Sequence, residues 1–274
     1  MSLINENLDT PNQAHFHSLI HILLAEDIPT NQKVAVGILR KLGFDHVTIC
    51  NDGAEALDLM QHQRFDLVLM DLQMPEVDGI QAARVIRDPM SSILQHDIPI
   101  IALSANVLQS DKARCVQAGM NGHIDKPIQP QVLAETLSKW LPNTQAQIPP
   151  PITPNTQTQI FDYASFMDRL MNDQELAERI LRVFEMETPA KIALMKLHLQ
   201  NSDADSLQRI AHGLKGASGN ISLLELYATA ATLENAARSN DWDTCKQIIP
   251  KLENQFQQTI PEIHRQFPSS SDQR

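Results

Sequence analysis

The sequence predicts two architectures in series: an α/β domain built on a five-stranded, doubly wound parallel sheet, then an all-α four-helix bundle. Three observations carry this. Residues 20–141 alternate five short apolar runs with amphipathic stretches, the pattern of a parallel sheet covered by helices on both faces. Residues 142–159 contain five prolines and no charge, and cannot bury a core. From Phe161 to about Phe267 the apolar spacing is helical throughout.

The elements follow in order. Residues 1–19 read as a polar leader. Ile20–Ala25 is an apolar run that stops on Glu26 and Asp27. Pro29 and Thr30 open a helix with Val34, Ile38, Leu39 and Leu42 inward, closed by Gly43. Val47–Cys50 is a short strand, and Asp52 caps the helix bearing Ala56, Leu57 and Met60. Leu67–Asp71 is a buried strand broken by Pro75 and Gly79. Ile80, Ala83 and Val85 mark the next helix, which ends before Pro89. Ile98–Leu103 is a fourth strand ending on Ser104, a helix runs from about Asp111 to Ala118, and a strand at His123–Ile124 leads to Asp125, Lys126 and Pro127. A helix carrying Val132, Leu133, Leu137 and Trp140 completes the domain.

After the Pro/Thr/Gln-rich linker, Asp162 and Asp173 are N-caps in a second domain spanning 160–267, with a polar tail at 268–274. A helix from Gln174 to about Gln200 restarts or kinks at Pro189. Further helices cover about Ala204–Gly219, Leu223–Arg238 and Thr244–Phe256.

Composition narrows the function. A formal net charge of −11 argues against nucleic acid, which needs a basic face. The partner implied is a protein, or a small anion held by a metal. Three widely spaced cysteines, Cys50, Cys115 and Cys245, suggest neither a disulfide framework nor a CxxC site, and fit reducing cytoplasm. No apolar run reaches the length of a membrane span.

In an open α/β sheet, ligands bind beyond the carboxyl ends of the strands. Glu26, Asp27 and Asp71 converge there, and three like charges resist full ionisation unless a divalent cation offsets them. All-oxygen donors favour Mg²⁺. Ser104 and Lys126 add a hydrogen-bond donor and a fixed positive charge, the groups that hold the oxygens of a phosphoryl group in transfer.

Glu26-Asp27, Asp71, Ser104 and Lys126-Pro127, each after its strand, resemble the receiver domain of two-component response regulators, a flavodoxin-like fold. The resemblance implies that Asp71 becomes an aspartyl phosphate. It also implies that Asp27, Asp71 and the backbone carbonyl of Gln73 bind Mg²⁺, with Glu26 acting through a metal-bound water. Two positions depart from the pattern. Ile28 stands where hybrid-kinase receivers often have Asn, and His123 stands where a Tyr or Phe usually turns inward on phosphorylation.

In the second domain, Leu207, Ile210, Ala211, Leu214, Ser218 and Ile221 share one helix face, and His212 points about 140° from its centre, toward water. Gly216 and Gly219 lie on the His212 face although each helical glycine costs about 1 kcal/mol. Bare backbone beside an exposed imidazole lets another domain approach, and Lys215 can screen phosphoryl charge. His212, Leu214, Lys215 and Gly216 resemble the His-x-Leu-Lys-Gly motif of histidine-containing phosphotransfer domains, with Ser222 where many members have glycine. The resemblance implies His212 as phosphoacceptor, Lys215 as its electrostatic support, a sensor histidine kinase upstream and a partner receiver downstream.

The two sites together suggest a phosphorelay intermediate. Two other readings are a phosphate sink, with Gln73 and Asn106 orienting a water, and an interaction module in which His212 is idle. The chain also suits the C-terminal part of a hybrid sensor kinase. Nothing in it looks like an ATP-binding kinase domain. Because imidazole titrates near neutrality, His123 predicts that coupling between phosphorylation and partner binding varies with pH. Binding isotherms from about pH 5.5 to 8 check this, and a flat profile counts against it.

Overall fold

A computed structural model describes residues 20–104, 109–141 and 160–267, without side chains at 109–111. The linker, the leader, the tail and Asn106 lie outside the described residues.

The sheet comprises β1 (His21–Ala25), β2 (His46–Cys50), β3 (Leu67–Asp71), β4 (Ile100–Ser104) and β5 (Gly122–Asp125), all parallel, in the order β2-β1-β3-β4-β5. Strands β3 and β4 are buried at every position, whereas β2, at the edge, is half exposed. Winding reverses between β1 and β3, and that reversal opens a crevice beyond their carboxyl ends. Ala25 pairs with Met70, so Glu26 and Asp27 emerge beside Asp71.

Helices α1 (Pro29–Lys41), α2 (Gly53–His62), α3 (Gly79–Arg87), α4 (Gln109–Gln117) and α5 (Pro130–Trp140) cover the sheet. Gly43 adopts φ 90°, and the amides of Gly43 and Phe44 close α1 on the carbonyls of Arg40 and Leu39. Asp52 caps α2 through the Glu55 amide as its sequence position indicates. On α3 the buried face is formed by Ile80, Ala82, Ala83 and Ile86, and Val85 is 40% exposed.

The second domain contains α6 (Tyr163–Arg169), α7 (Gln174–Gln200), α8 (Ala204–Asn220), α9 (Leu224–Arg238) and α10 (Trp242–Gln266). Asp162, Asp173, Asp203 and Asp241 each accept a hydrogen bond from the amide three residues on. Pro189 does not interrupt α7, which is helical for 27 residues. The stripe Ile180, Phe184, Thr188, Ile192 and Met195 is buried on both sides of the proline, and this packing outweighs a local penalty of about 3 kcal/mol. For the same reason α10 runs past its expected end at Phe256, since Thr259 and Ile263 continue the buried stripe.

Alternation along the strands separates two cores. Leu23, Ala25, Val68 and Met70 pack with α2 and α3, whereas Ile22, Leu24, Leu67 and Leu69 belong to a cluster that continues without a break into the helical domain. The junction is α1 against α7 and α8. It is reciprocal: Leu176 of α7 fills the space a side chain would occupy at Gly37 of α1, and a Cβ at Gly213 of α8 would stand 2.5 Å from Ile28 Cδ1. A salt bridge from Lys41 to Asp173, 2.9 Å long, closes the rim.

The Gly37→Leu substitution removes the seat of Leu176 while leaving an exchangeable helix position. The expected outcome is separation of the domains, seen as a larger radius of gyration by small-angle scattering, with far-UV circular dichroism unchanged within about a tenth.

Candidate functional site

Glu26, Asp27 and Asp71 place carboxylate oxygens within 4.8 Å of one another at the crevice. Glu26 and Asp71 are buried and Asp27 is half-buried. Lys126, buried just after β5, donates to Glu26 Oε2 and to Asp71 Oδ2, each at 2.5 Å. Burial, opposed by Lys126 and reinforced by the Asp71 charge, pushes the Glu26 carboxyl up to about 7. Burial and the Asp71 charge push Asp27 up to about 6. Burial disfavours the Lys126 ammonium, but Asp71 and Glu26 outweigh it and hold this group above the ordinary lysine range. The site thus lacks positive charge relative to its carboxylates.

These residues fit a hard divalent cation. The donors are all oxygen, they converge, and one lysine cannot balance three carboxylates. Ser104 Oγ is buried without a hydrogen-bond partner among the described residues, and it lines the same cavity, as a group reserved for an incoming oxygen does. Gln73 is exposed and its amide donates to Asp71 Oδ1 at 3.2 Å. His123 is exposed on β5 opposite Ala102, and it does not line the cavity.

His212 departs from expectation. Its side chain is 12% exposed, not directed into open water, because the α/β domain covers the glycine face of α8. One cavity of about 440 Å³ between the domains is lined by Asp27, Asp71 and Ser104 from one side and by His212, Lys215 and Glu234 from the other. The glycines permit this approach: a Cβ at Gly216 would stand 3.2 Å from Asn31 Nδ2. Ser222, by contrast, takes φ 60° in the turn after α8, and its hydroxyl accepts from Arg169 Nη1 at 3.0 Å.

Glu234 is the functional residue that sequence reasoning missed. It lies on α9 and accepts from His212 Nδ1 at 3.0 Å, from Lys215 Nζ at 2.5 Å and from Arg238 Nη2 at 3.0 Å. Its only sequence signal is an acid set among Leu233, Ala236 and Ala237, and the Arg238 pair at i,i+4 reads as an ordinary surface contact. Because a carboxylate can only accept, the contact to Glu234 calls for a proton on Nδ1, and in the neutral imidazole the lone pair then lies on Nε2. Lys215 therefore acts on a carboxylate as well as on the cavity.

The response regulator receiver domain family matches residues 22–138, and the Hpt domain family matches residues 179–262. The chain joins a receiver domain to an Hpt domain. It is 30% identical over 248 residues to the sensor protein EvgS of Escherichia coli O157:H7, covering 90% of this chain and 19% of that one. It is 27% identical over 225 residues to the sensor protein GacS of Pseudomonas syringae pv. syringae, covering 80% of this chain and 25% of that one. This chain thus spans about a fifth to a quarter of the length of these relatives. Among solved structures, the receiver domain of sensor histidine kinase PA1611 from Pseudomonas aeruginosa PAO1, crystallised with a magnesium ion in its active-site cleft, is 43% identical, with a TM-score of 0.40, covering 44% of this chain and 96% of that one. No helix among the described residues is long and apolar enough to cross a membrane.

Burial alone would raise Glu234, but hydrogen bonds and charge from His212 and Lys215 hold it at about 2. Its folded pKa is depressed, so its stabilisation is complete above the ordinary value near 4.5 and is lost as pH falls from there to about 2. Unfolding curves across this window should show a loss on the order of 2–3 kcal/mol in wild type, much reduced in Glu234→Gln.

Proposed function

We propose that this chain is a phosphorelay intermediate in which Asp71 and His212 exchange a phosphoryl group within one molecule. The observation that carries this is the single cavity lined by both residues. A sensor histidine kinase supplies the phosphoryl group to Asp71, and a downstream receiver collects it from His212. In the internal step the His212 Nε2 lone pair forms the N–P bond as the P–O bond to Asp71 breaks, and the electron pair returns to the Asp71 carboxylate. Lys126 lies 2.5 Å from that carboxylate and stabilises it as leaving group. Glu234 holds the Nδ1 proton throughout, and Ser104 offers its hydroxyl to an equatorial oxygen.

Glu26, Asp27 and Asp71, with the Gln73 carbonyl, would hold Mg²⁺. When bound, it supplies positive charge that offsets the carboxylates and the phosphoryl oxygens. Three buried cysteines, none in a disulfide among the described residues, suit a reducing cytoplasm.

Labelling with acetyl phosphate and Mg²⁺, followed by mass mapping, tests the reading. Wild type should carry base-stable phosphate on His212. Asp71→Asn should lose label at both sites by at least about 100-fold, and His212→Gln should retain it on Asp71 alone. Transfer should be independent of protein concentration. Labelling of His212 in Asp71→Asn, or its absence from wild type, overturns the proposal.

A further inference from the structure

Inside the contact between the domains lies a buried polar pair that leads into the acidic site. Asn220 is fully buried at the last position of α8. Arg169 Nη1 donates to its carbonyl at 2.5 Å, which fixes the helix end. From there Asn220 Nδ2 donates to Asn31 Oδ1 of the receiver at 2.8 Å. Asn31, in the first turn of α1 and also buried, donates its own Nδ2 to Glu26 Oε1 at 2.9 Å. Glu26 Oε2 accepts from Lys126, and Lys126 also donates to Asp71. An unbroken series of buried hydrogen bonds therefore runs from the Hpt domain to the phosphoacceptor of the receiver.

With Glu26 ionised beside Lys126, every link has one direction. An ionised carboxylate cannot donate and an ammonium cannot accept. Asn31 must then present its amide nitrogen to Glu26, which leaves its oxygen for the other domain and requires a donor there. Asn220 meets that demand while its own Oδ1 has no partner among the described residues. The unpaired oxygen marks the cost of serving Asn31. Gly216 is a second, independent sign, because its bare backbone is what lets the Asn31 amide lie against α8.

We propose that Asn31 is a positioning residue that couples docking of the Hpt domain to the state of the acidic site. Asn220 fixes the carboxamide of Asn31, and Asn31 fixes the Glu26 carboxylate beside Lys126 and Asp71. Docking thereby preorganises the carboxylates for a divalent cation, and by reciprocity the cation favours docking to the same extent. This rests on the phosphorelay reading above, which makes the acidic site and His212 partners in one reaction.

The test is Mg²⁺ affinity of the full chain, read from amide NMR shifts of the receiver without any phosphodonor. Asn220→Ala touches no acidic-site residue, yet it should weaken Mg²⁺ binding about 3- to 10-fold. Asn220→Asp, which keeps the size and replaces the donor by an acceptor, should do at least as much and guards against a packing defect in the alanine variant. Asn31→Ala should give a similar loss, and the double variant Asn31→Ala/Asn220→Ala should lose no more than the single one. Unchanged Mg²⁺ affinity in both Asn220 variants overturns the coupling, as does full additivity in the double variant. Failure of the phosphorelay reading would instead appear as missing phosphohistidine in the labelling experiment, with these affinities unaffected.

Discussion

Three carboxylates forced together at the ends of two adjacent strands create the constraint on which the rest of this molecule depends. The sheet order brings β1 and β3 side by side, and the register then leaves Glu26, Asp27 and Asp71 no room to separate. Dehydrated like charges are costly, so the fold must import positive charge and hydrogen-bond donors from distant elements. Lys126 arrives from the end of β5, the amide of Ile28 and the carboxamide of Asn31 arrive from the start of α1, and Asn31 is itself steadied by another domain. Each compensation draws a further element toward the same crevice.

The Hpt side has the same logic at smaller scale. Glu234 gathers His212, Lys215 and Arg238, so one buried carboxylate fixes an imidazole tautomer and two cations. Between the two charged clusters, beside the Asn31–Asn220 pair, the contact is made of small residues and aliphatic knobs. Gly37 receives Leu176, and Gly213 makes room for Ile28. Ile28, one of two departures from the usual receiver pattern, lays its aliphatic end against the helix that carries His212.

The sheet was readable in the sequence because each apolar run ends on a polar group with a visible job, as Leu67–Asp71 and Ile100–Ser104 do. The capping aspartates and Gly43 were readable because their chemistry is local. What depends on distant packing was not. The helical periodicity placed His212 correctly relative to the bundle, but periodicity within α8 carries no information about a receiver surface nearly two hundred residues earlier in the chain. Glu234 was hidden for the same reason, since its partners on α8 precede it by 19 and 22 residues. Pro189 misled because its local cost is legible while the buried stripe that offsets it belongs to the whole bundle.

The docked arrangement also sets the order of traffic at His212. The face of α8 that offers the imidazole is already covered by the receiver of the same chain. A partner held in the same chain competes at an effective concentration, not at a bulk one. In the proposed relay an external receiver would have to displace this contact, and its access would be set by how often the internal partner lets go. Turnover of such a relay would then follow the lifetime of one intramolecular contact.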